Sequence, residues 1–435
     1  KGFRVEPRIV RERRTARLKE VGNRAVKEEN KMRIIYERCC GVDVHKRKIV
    51  CCMRNGSKNE IREFGTMTDE LKEMVEWLHE NGCEMVAMES TGSYWKPLYN
   101  ILELLGMPAM VVNASHMKAV PGRKTDTKDS EWIADLLQHG LLKASFIPER
   151  EQRELREIAR YRKSLTEERS REINRMQKML EGANIKLGNV VSEITGKSAG
   201  NVLRGIAQNK IDREYLEQAV DHSMHWKMDE IIRSINGVIS PVQRKLLQSM
   251  LNHIEDMTRR IQEMDGLIEE EMKSYQQSIE RLSEVPGISK RTAEIILEEI
   301  GMKMERFPTA AHLASWAGIC PGNHESAGKK KSGRINPGNN TLKTTLVQCA
   351  HAAVRNKRTY FHAQYERLTV RRGKNKAIVA VAHSMLIAIY HMLKTGEPFR
   401  DLGSNYYQQF DAEKRIQYYL NKIKNLGGNY VPSAT

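Results

Sequence analysis

The stretch "RCCGVDVHKRKIVCCMR", residues 38–54, decides the architecture. Two apolar runs flank a short polar segment, which reads as two β-strands joined by a tight turn. "NEIREFG" (59–65) is a third strand. From there the period changes. "TDELKEMVEWLHENG" (68–82) has a helical repeat with a Thr or Asp start and a Gly stop. "CEMVAME" (83–89) and "PAMVVNA" (108–114) are buried strands; "SYWKPLYNILELLG" (93–106) and "TDTKDSEWIADLLQHG" (125–140) are helices. Three strands followed by alternating helices and strands make a mixed α/β sheet, which we assign to residues 38–148.

The sheet gives four acids a common address. Asp43 ends the first strand, Glu89 ends the fourth, and Asp126 and Asp129 open the last helix. Carboxyl ends of neighbouring strands converge at one edge of an open α/β sheet, where ligands bind. Asp126 and Asp129, in "KTDTKDS" (124–130), share a helical face and repel unless a cation lies between them. Taken singly, each acid has an ordinary role as a helix cap, a side-chain partner or a strand-end surface charge. Taken together, several carboxylates in one small volume are costly unless a hard divalent cation neutralises them. Mg²⁺, with Mn²⁺ as a possible substitute, keeps positions open for phosphate oxygens. Two such ions can hold the attacking and leaving oxygens of an in-line phosphoryl displacement.

The rest of the chain points the same way. It has 435 residues, enough for two to four domains, and a formal net charge of +17. Such a surplus of Lys and Arg implies a polyanionic partner. We read no apolar run of membrane-spanning length and no secretory signal, so we expect no membrane partner and a cytoplasmic protein. Seven cysteines in such a chain are expected to be reduced thiols. The doublets Cys39-Cys40 and Cys51-Cys52 read as buried strand positions rather than zinc ligands. "TGKS" (195–198) lacks the glycine a phosphate-binding loop needs at position 191, which is Val191.

Residues 1–37 form a basic arm containing Arg11, Arg13 and Arg14, either a solvated extension or a phosphate-binding arm. Residues 149–275 are charged and almost wholly helical. Within them Leu247, Ile254, Ile261 and Ile268 recur every seven residues, with Met250, Met257 and Met264 three further on. That seam is the signature of a coiled coil, and it implies a dimer; the alternative is an amphipathic helix on a globular core. Residues 276–400 form a second compact, mainly α unit, and 401–435 a tail with paired tyrosines on short helices. "VPGISKRTAEIILEEIG" (285–301) has the Pro-Gly turn of a helix-hairpin-helix or of an ordinary helical hairpin.

"GVDVHK", "AMESTGSYWKPL" and "KTDTKDSEWIADLL" resemble the DEDD-type transposases of bacterial insertion sequences. The resemblance continues through "FPTAAHLASWAGICPGNHESAGKKKSGRI" and "GNNTLK" and covers roughly residues 38–395. It implies an α/β RNase H-like (RuvC-like) domain, a helical coiled-coil insert and a mainly α C-terminal domain. It matches Asp43, Glu89, Asp126 and Asp129 to the family's four acids, and Ser326 to its nucleophile. That serine attacks the scissile phosphate and forms a phosphoserine bond to DNA. Lys329, Lys330, Lys331, Arg334 and Lys343 would supply charge for the phosphates. Ser332, in an equally basic loop, is a rival for Ser326, whereas Ser315 reads as core or capping. Ala327 stands between Ser326 and Gly328, where members of the family often have Ser-Gly directly.

The resemblance further implies donor and target DNA, a structured non-coding bridge RNA that selects them by pairing, and a bacterial, nucleoid-associated location. It also implies a composite site between subunits, hence a dimer of dimers on paired DNAs. Two other functions compete on the residues alone. One is a RuvC-like endonuclease that uses water; the other is a non-catalytic RNA-binding scaffold.

Overall fold

The computed structural model describes residues 33–90, 92–113, 129–321, 324–326, 329–332, 335 and 337–425. The chain divides into two compact units at residues 147 and 148.

The first unit contains strands β1 (Arg38–Val44), β2 (Ile49–Asn55), β3 (Lys58–Phe64), β4 (Met85–Glu89) and β5 (Ala109–Val112). Its helices are α1 (Thr68–Glu80), α2 (Trp95–Leu104) and α3 (Asp129–Gln138). The strands form one mixed sheet in the order β3-β2-β1-β4-β5. β1, β2 and β3 are an antiparallel meander, and β4 and β5 add in parallel beyond β1. β1 is therefore central, and both its faces must be covered.

Strand alternation sorts its residues between two layers. Cys40, Val42 and Val44 pack with Leu71, Met74 and Leu78 of α1 and Leu98 and Leu102 of α2. Cys39 lies on the opposite face, with Ala87, Val112 and the α3 residues Ile133 and Leu137. Each cysteine doublet thus puts one thiol on each side of the sheet. All four are fully buried, and Cys51 joins the α1–α2 layer beside Cys40. Burial pushes the Cys39 and Cys52 thiols up to about 12. They are apolar filling, and thiols split between two faces cannot close a zinc tetrahedron.

α3 lies across β1 and β2, and one glycine sets how closely. A Cβ on Gly41 would overlap the Ala134 nitrogen and the Ser130 carbonyl oxygen of α3. Arg54 of β2 fixes the other side of the helix. It pairs with Asp135 and donates to Gln138 Oε1 at 2.9 Å, and Gln138 in turn donates to the Gly56 carbonyl at 2.9 Å.

The second unit is helical. Its first part comprises α4 (Arg150–Gly182), α5 (Lys197–Gln208), α6 (Arg213–Ala219), α7 (Met228–Ile235) and α8 (Pro241–Glu271). The heptad stripe lies on α8, which begins with a Ser240–Gln243 capping box and Pro241 in its first turn. Leu247, Ile254, Met257 and Ile268 are buried, and α4 and α5 of the same chain pack against this helix. Arg162 meets Asp265 at 2.7 Å and Arg169 donates to Thr258 at 2.8 Å, so the two helices run antiparallel. Much of this stripe therefore packs against helices of its own chain.

The second part comprises α9 (Gln276–Ser283), α10 (Lys290–Ile300), α11 (Ala310–Ala317), the hairpin β6 (His324–Ser326) and β7 (Lys329–Ser332), α12 (Asn340–Ala353), α13 (Tyr360–Arg372), α14 (Lys374–Thr395) and α15 (Tyr406–Asn425). α14 corrects the reading that no apolar run is long enough to span a membrane, because by length and composition this helix is. Here Val381, Ala382, Met385, Leu386 and Ile389 are buried, and the helix packs against α11, α12 and α13. The paired tyrosines sit on one 20-residue helix rather than on short ones. Tyr406 and Tyr407 pack on Tyr360, whereas Tyr418 and Tyr419 are exposed.

Gly41→Ala is expected to destabilise the first unit by about 1–3 kcal/mol, the range for overpacking a filled interface. Urea unfolding of the variant against the parent measures this. Equal midpoints would mean that α3 is free to move off β1.

Candidate functional site

The first set of candidate residues lies at the carboxyl ends of β1 and β4. The two strands pair in parallel with Val42 opposite Met88, so Asp43 and Glu89 are the next two residues on neighbouring strands. Such strands are about 4.8 Å apart. By alternation Asp43 follows Cys39 and Gly41, and Glu89 follows Met85 and Ala87, all on the α3 face. Asp129 is the first residue of α3, one before the Ser130 carbonyl that sits against Gly41. The fold therefore brings Asp43, Glu89 and Asp129 to one face and one end of the sheet. Asp126 lies outside the described residues, as do Arg11, Arg13 and Arg14.

Asp43 is largely buried, with 17% of its side chain exposed, and His45 Nε2 lies 2.9 Å from its Oδ2. The β1–β2 turn presents that histidine, closing with a 3.0 Å bond from the His45 amide to the Lys48 carbonyl. The imidazole thus contacts one oxygen of the carboxylate. The sequence reading missed this residue, although "DVHK" places it two positions after the aspartate, on the same side of the strand.

Among the described residues no three His, Cys, Asp or Glu side chains close into a metal cage. The donors that do gather here are carboxylates, and the thiols lie inside the sheet layers with their protons held on. An all-oxygen donor set suits a hard ion such as Mg²⁺ or Mn²⁺ and not Zn²⁺.

The second set lies in the second unit. β6 and β7 form an antiparallel hairpin in which Ser326 pairs with Lys329 and His324 with Ser332. Ser326 is thus at the tip and Ser332 at the root. Lys329, Lys330 and Lys331 are consecutive on β7, with Lys330 opposite Glu325. Arg334 lies outside the described residues. Lys343 is half-buried on the first turn of α12, its amide bonded to the Asn339 carbonyl at 3.0 Å. Ser315 is exposed on α11, which corrects its reading as core.

The hairpin rises from a narrow neck. Pro321 and Ile335 bridge, and a Cβ on Gly338 would overlap the Gly318 backbone. The Asn339 amide donates to the Trp316 carbonyl at 3.2 Å. Its side chain caps α12 by accepting from the Leu342 amide at 3.0 Å, and its Nδ2 donates to Glu299 Oε2 at 2.6 Å.

Glu299 is 2% exposed. Arg160 grips it with two bonds of 3.2 and 2.9 Å, and Arg156 lies 3.6 Å from it. Arg156 also donates to the Glu299 carbonyl, and Gln152 to the Leu297 carbonyl at 3.0 Å. Side chains of α4 thus satisfy the orphan carbonyls at the end of α10, where the helix dipole favours positive charge. Burial lowers the Arg156 pKa to about 10, against the opposing pull of Glu299.

Two family profiles match the chain, together covering more than half of it. One, a transposase profile of DEDD type, covers residues 40–185. The other, described as Transposase IS116/IS110/IS902 family, covers residues 279–366. The chain is 23% identical over 329 residues to the transposase for insertion sequence element IS1111A of Coxiella burnetii, spanning 73% of this chain and 79% of that protein. It is 22% identical over 367 residues to a probable family 20 transposase of Pseudomonas aeruginosa, spanning 83% and 94%. It is 30% identical over 122 residues to a pilin gene-inverting protein of Moraxella bovis, spanning 27% and 37%.

Glu298, next to the hub, is also buried, 3.5 Å from Arg291. Burial pushes its pKa up to about 7, against the pull of Arg291. An acid whose folded value lies above its free value favours the fold while protonated. That contribution is complete below about pH 4.5 and is lost as pH rises through about 7. Glu298→Gln is therefore expected to be more stable than the parent at pH 8, by roughly 2–3 kcal/mol at most, and to gain little at pH 4.5. Urea unfolding at both pH values tests this. An equal gain at the two would remove the titration as its cause.

Proposed function

We propose a DNA strand-exchange function for this chain, which belongs to the IS116/IS110/IS902 family of transposases. The enzyme cuts and rejoins DNA through a serine ester, with Ser326 as nucleophile. The observation that carries this reading is the pairing of two parts in one chain. Strand-end carboxylates lie within the first matched region, and a lysine-flanked serine at a hairpin tip lies within the second. The sheet order β3-β2-β1-β4-β5, with helices on both faces, supports an RNase H-like frame for the acids.

The chemistry balances without an external energy source. The Ser326 Oγ attacks the scissile phosphorus and gives up its proton to a base. An Oγ–P bond forms while one phosphorus–oxygen bond to deoxyribose breaks, and the departing oxygen takes a proton. Attack by another strand's hydroxyl reverses these events and restores Ser326. One phosphoester is broken for each one made, so no ATP is needed.

Asp43, Glu89, Asp126 and Asp129 would hold Mg²⁺, which when bound neutralises charge building on the phosphate. The residues' own part is to keep the carboxylates together, through the β1–β4 register, the α3 start and His45 on Asp43. Lys329, Lys330 and Lys331, with Arg334 and Lys343, hold the strand's phosphates near the serine. Arg11, Arg13 and Arg14 extend the same contact to the bound nucleic acids. A chain of net charge +17 holds DNA and a structured guide RNA by their backbones, and base pairing by the RNA selects donor and target. The working assembly is a homodimer that doubles on paired DNAs in the bacterial cytoplasm.

The test uses the full chain and a plasmid carrying its gene with the native flanking DNA. Denaturing electrophoresis is expected to show a covalent protein–DNA adduct that EDTA prevents. Ser326→Ala abolishes it and Ser332→Ala does not. Nicking that persists in Ser326→Ala without any adduct would establish hydrolysis by water instead. RNA that co-purifies, once sequenced, should pair with DNA at the insertion joint.

A further inference from the structure

A buried carboxylate with three partners on two separate parts of the chain, at the foot of the hairpin, asks for a reason. Glu299 is held by Arg156 and Arg160 of α4 and by Asn339, the residue on which the returning arm of the hairpin ends. Asn339 is the only one of these partners that belongs to the neck. Its amide and side chain together set three directions: to Trp316 in the last turn of α11, from which the outgoing arm leaves, to the first turn of α12, and to Glu299. Arg156 also stacks over the Trp316 ring, with its guanidinium carbon 5.3 Å from the centroid. Both arms of the neck are therefore referred to the same carboxylate. Gly318 and Gly338 hold them in contact and leave little room for rotation at the base.

We propose that Glu299 is the positioning residue of the nucleophile hairpin. Through Asn339 and Arg156 it fixes the direction in which the hairpin leaves the helical body, and hence where the tip serine can reach. This inference rests on the reading that Ser326 is the nucleophile. Glu299 does not touch DNA. It acts by removing the pivot at the neck, so that the tip swings less before attack.

Glu299→Ala would leave the buried Arg156 and the half-exposed Arg160 without their anion and is expected to misfold. Asn339→Ser is the sharper variant. Serine caps a helix as well as asparagine does, so α12 keeps its cap, but it has no amide to donate to Glu299. With the full chain and the plasmid described above, the rate of adduct formation at saturating DNA is expected to fall about 10²-fold, the scale of a 1 Å misplacement. The DNA concentration at half-saturation stays near the parent value, and the urea midpoint falls by no more than the loss of one hydrogen bond to a buried carboxylate accounts for. Amide hydrogen exchange in peptides covering 316–321 and 337–342 becomes faster. Parent-like rate and exchange in Asn339→Ser would overturn the proposal. Ser326→Ala, run beside it, separates the two ideas. If Ser326→Ala still forms adduct, the nucleophile reading fails; if it forms none while Asn339→Ser is unimpaired, only the positioning role fails.

Discussion

Everything in the first unit depends on how closely one helix can approach one strand. Residue 41 must lack a side chain, because the backbone of α3 occupies the space a Cβ would need. That contact fixes the height of α3 above the sheet and the point where its first turn ends. Asp129, at that first turn, is thereby carried to the end of β1 where Asp43 stands. Parallel pairing with β4 adds Glu89 without further help, because register alone makes it the neighbour of Asp43. The strand and helix ends that carry these acids are thus brought to one end of the sheet by apolar burial elsewhere: Ile133 and Leu137 against Cys39, Ala87 and Val112.

The second unit solves a comparable problem with opposite signs. The end of α10 exposes carbonyls, and α4 answers with Gln152, Arg156 and Arg160. Two arginines beside a buried helix end require an anion, and Glu299 provides it. Asn339 then takes up a free lone pair of that carboxylate. A cap, an ion pair and a hairpin anchor are one connected network, so none of its members can be removed alone without leaving another unsatisfied.

How much of this was legible depends on the kind of signal. The three-strand meander and the helices that follow were readable because residues 38–64 and 68–140 keep clean periods, and the periods state which face is buried. The acids were readable as strand and helix ends. The heptad on α8 was readable as a buried stripe, but a period cannot say whose helix covers it; here α4 packs on it, with Arg162 bonded to Asp265, 103 residues further along the chain. α14 was legible as a helix in "NKAIVAVAHSMLIAIYHML", but its spanning length was missed because His383 and Ser384 interrupt the apolar run. Glu299 was invisible for a plainer reason. In "LEEIG" its letter is that of any solvated helix acid, and only the fold shows three partners around it. Ser326 stood out through family resemblance rather than spacing, since Ser332 lies in the same basic loop.

The distribution of thiols has a practical side. Cys39, Cys40, Cys51, Cys52 and Cys349 are sealed in the interior, which leaves Cys83 and Cys320 as the partly accessible pair. Cys320 immediately precedes Pro321, where the hairpin departs from the body. With Cys83 replaced, a small maleimide dye would therefore attach at this spot in the otherwise native polypeptide. Burial raises the thiol's pKa and slows the coupling at neutral pH. The molecule carries its own spectroscopic handle beside the hairpin, and fluorescence anisotropy there would report whether nucleic acid changes that neighbourhood.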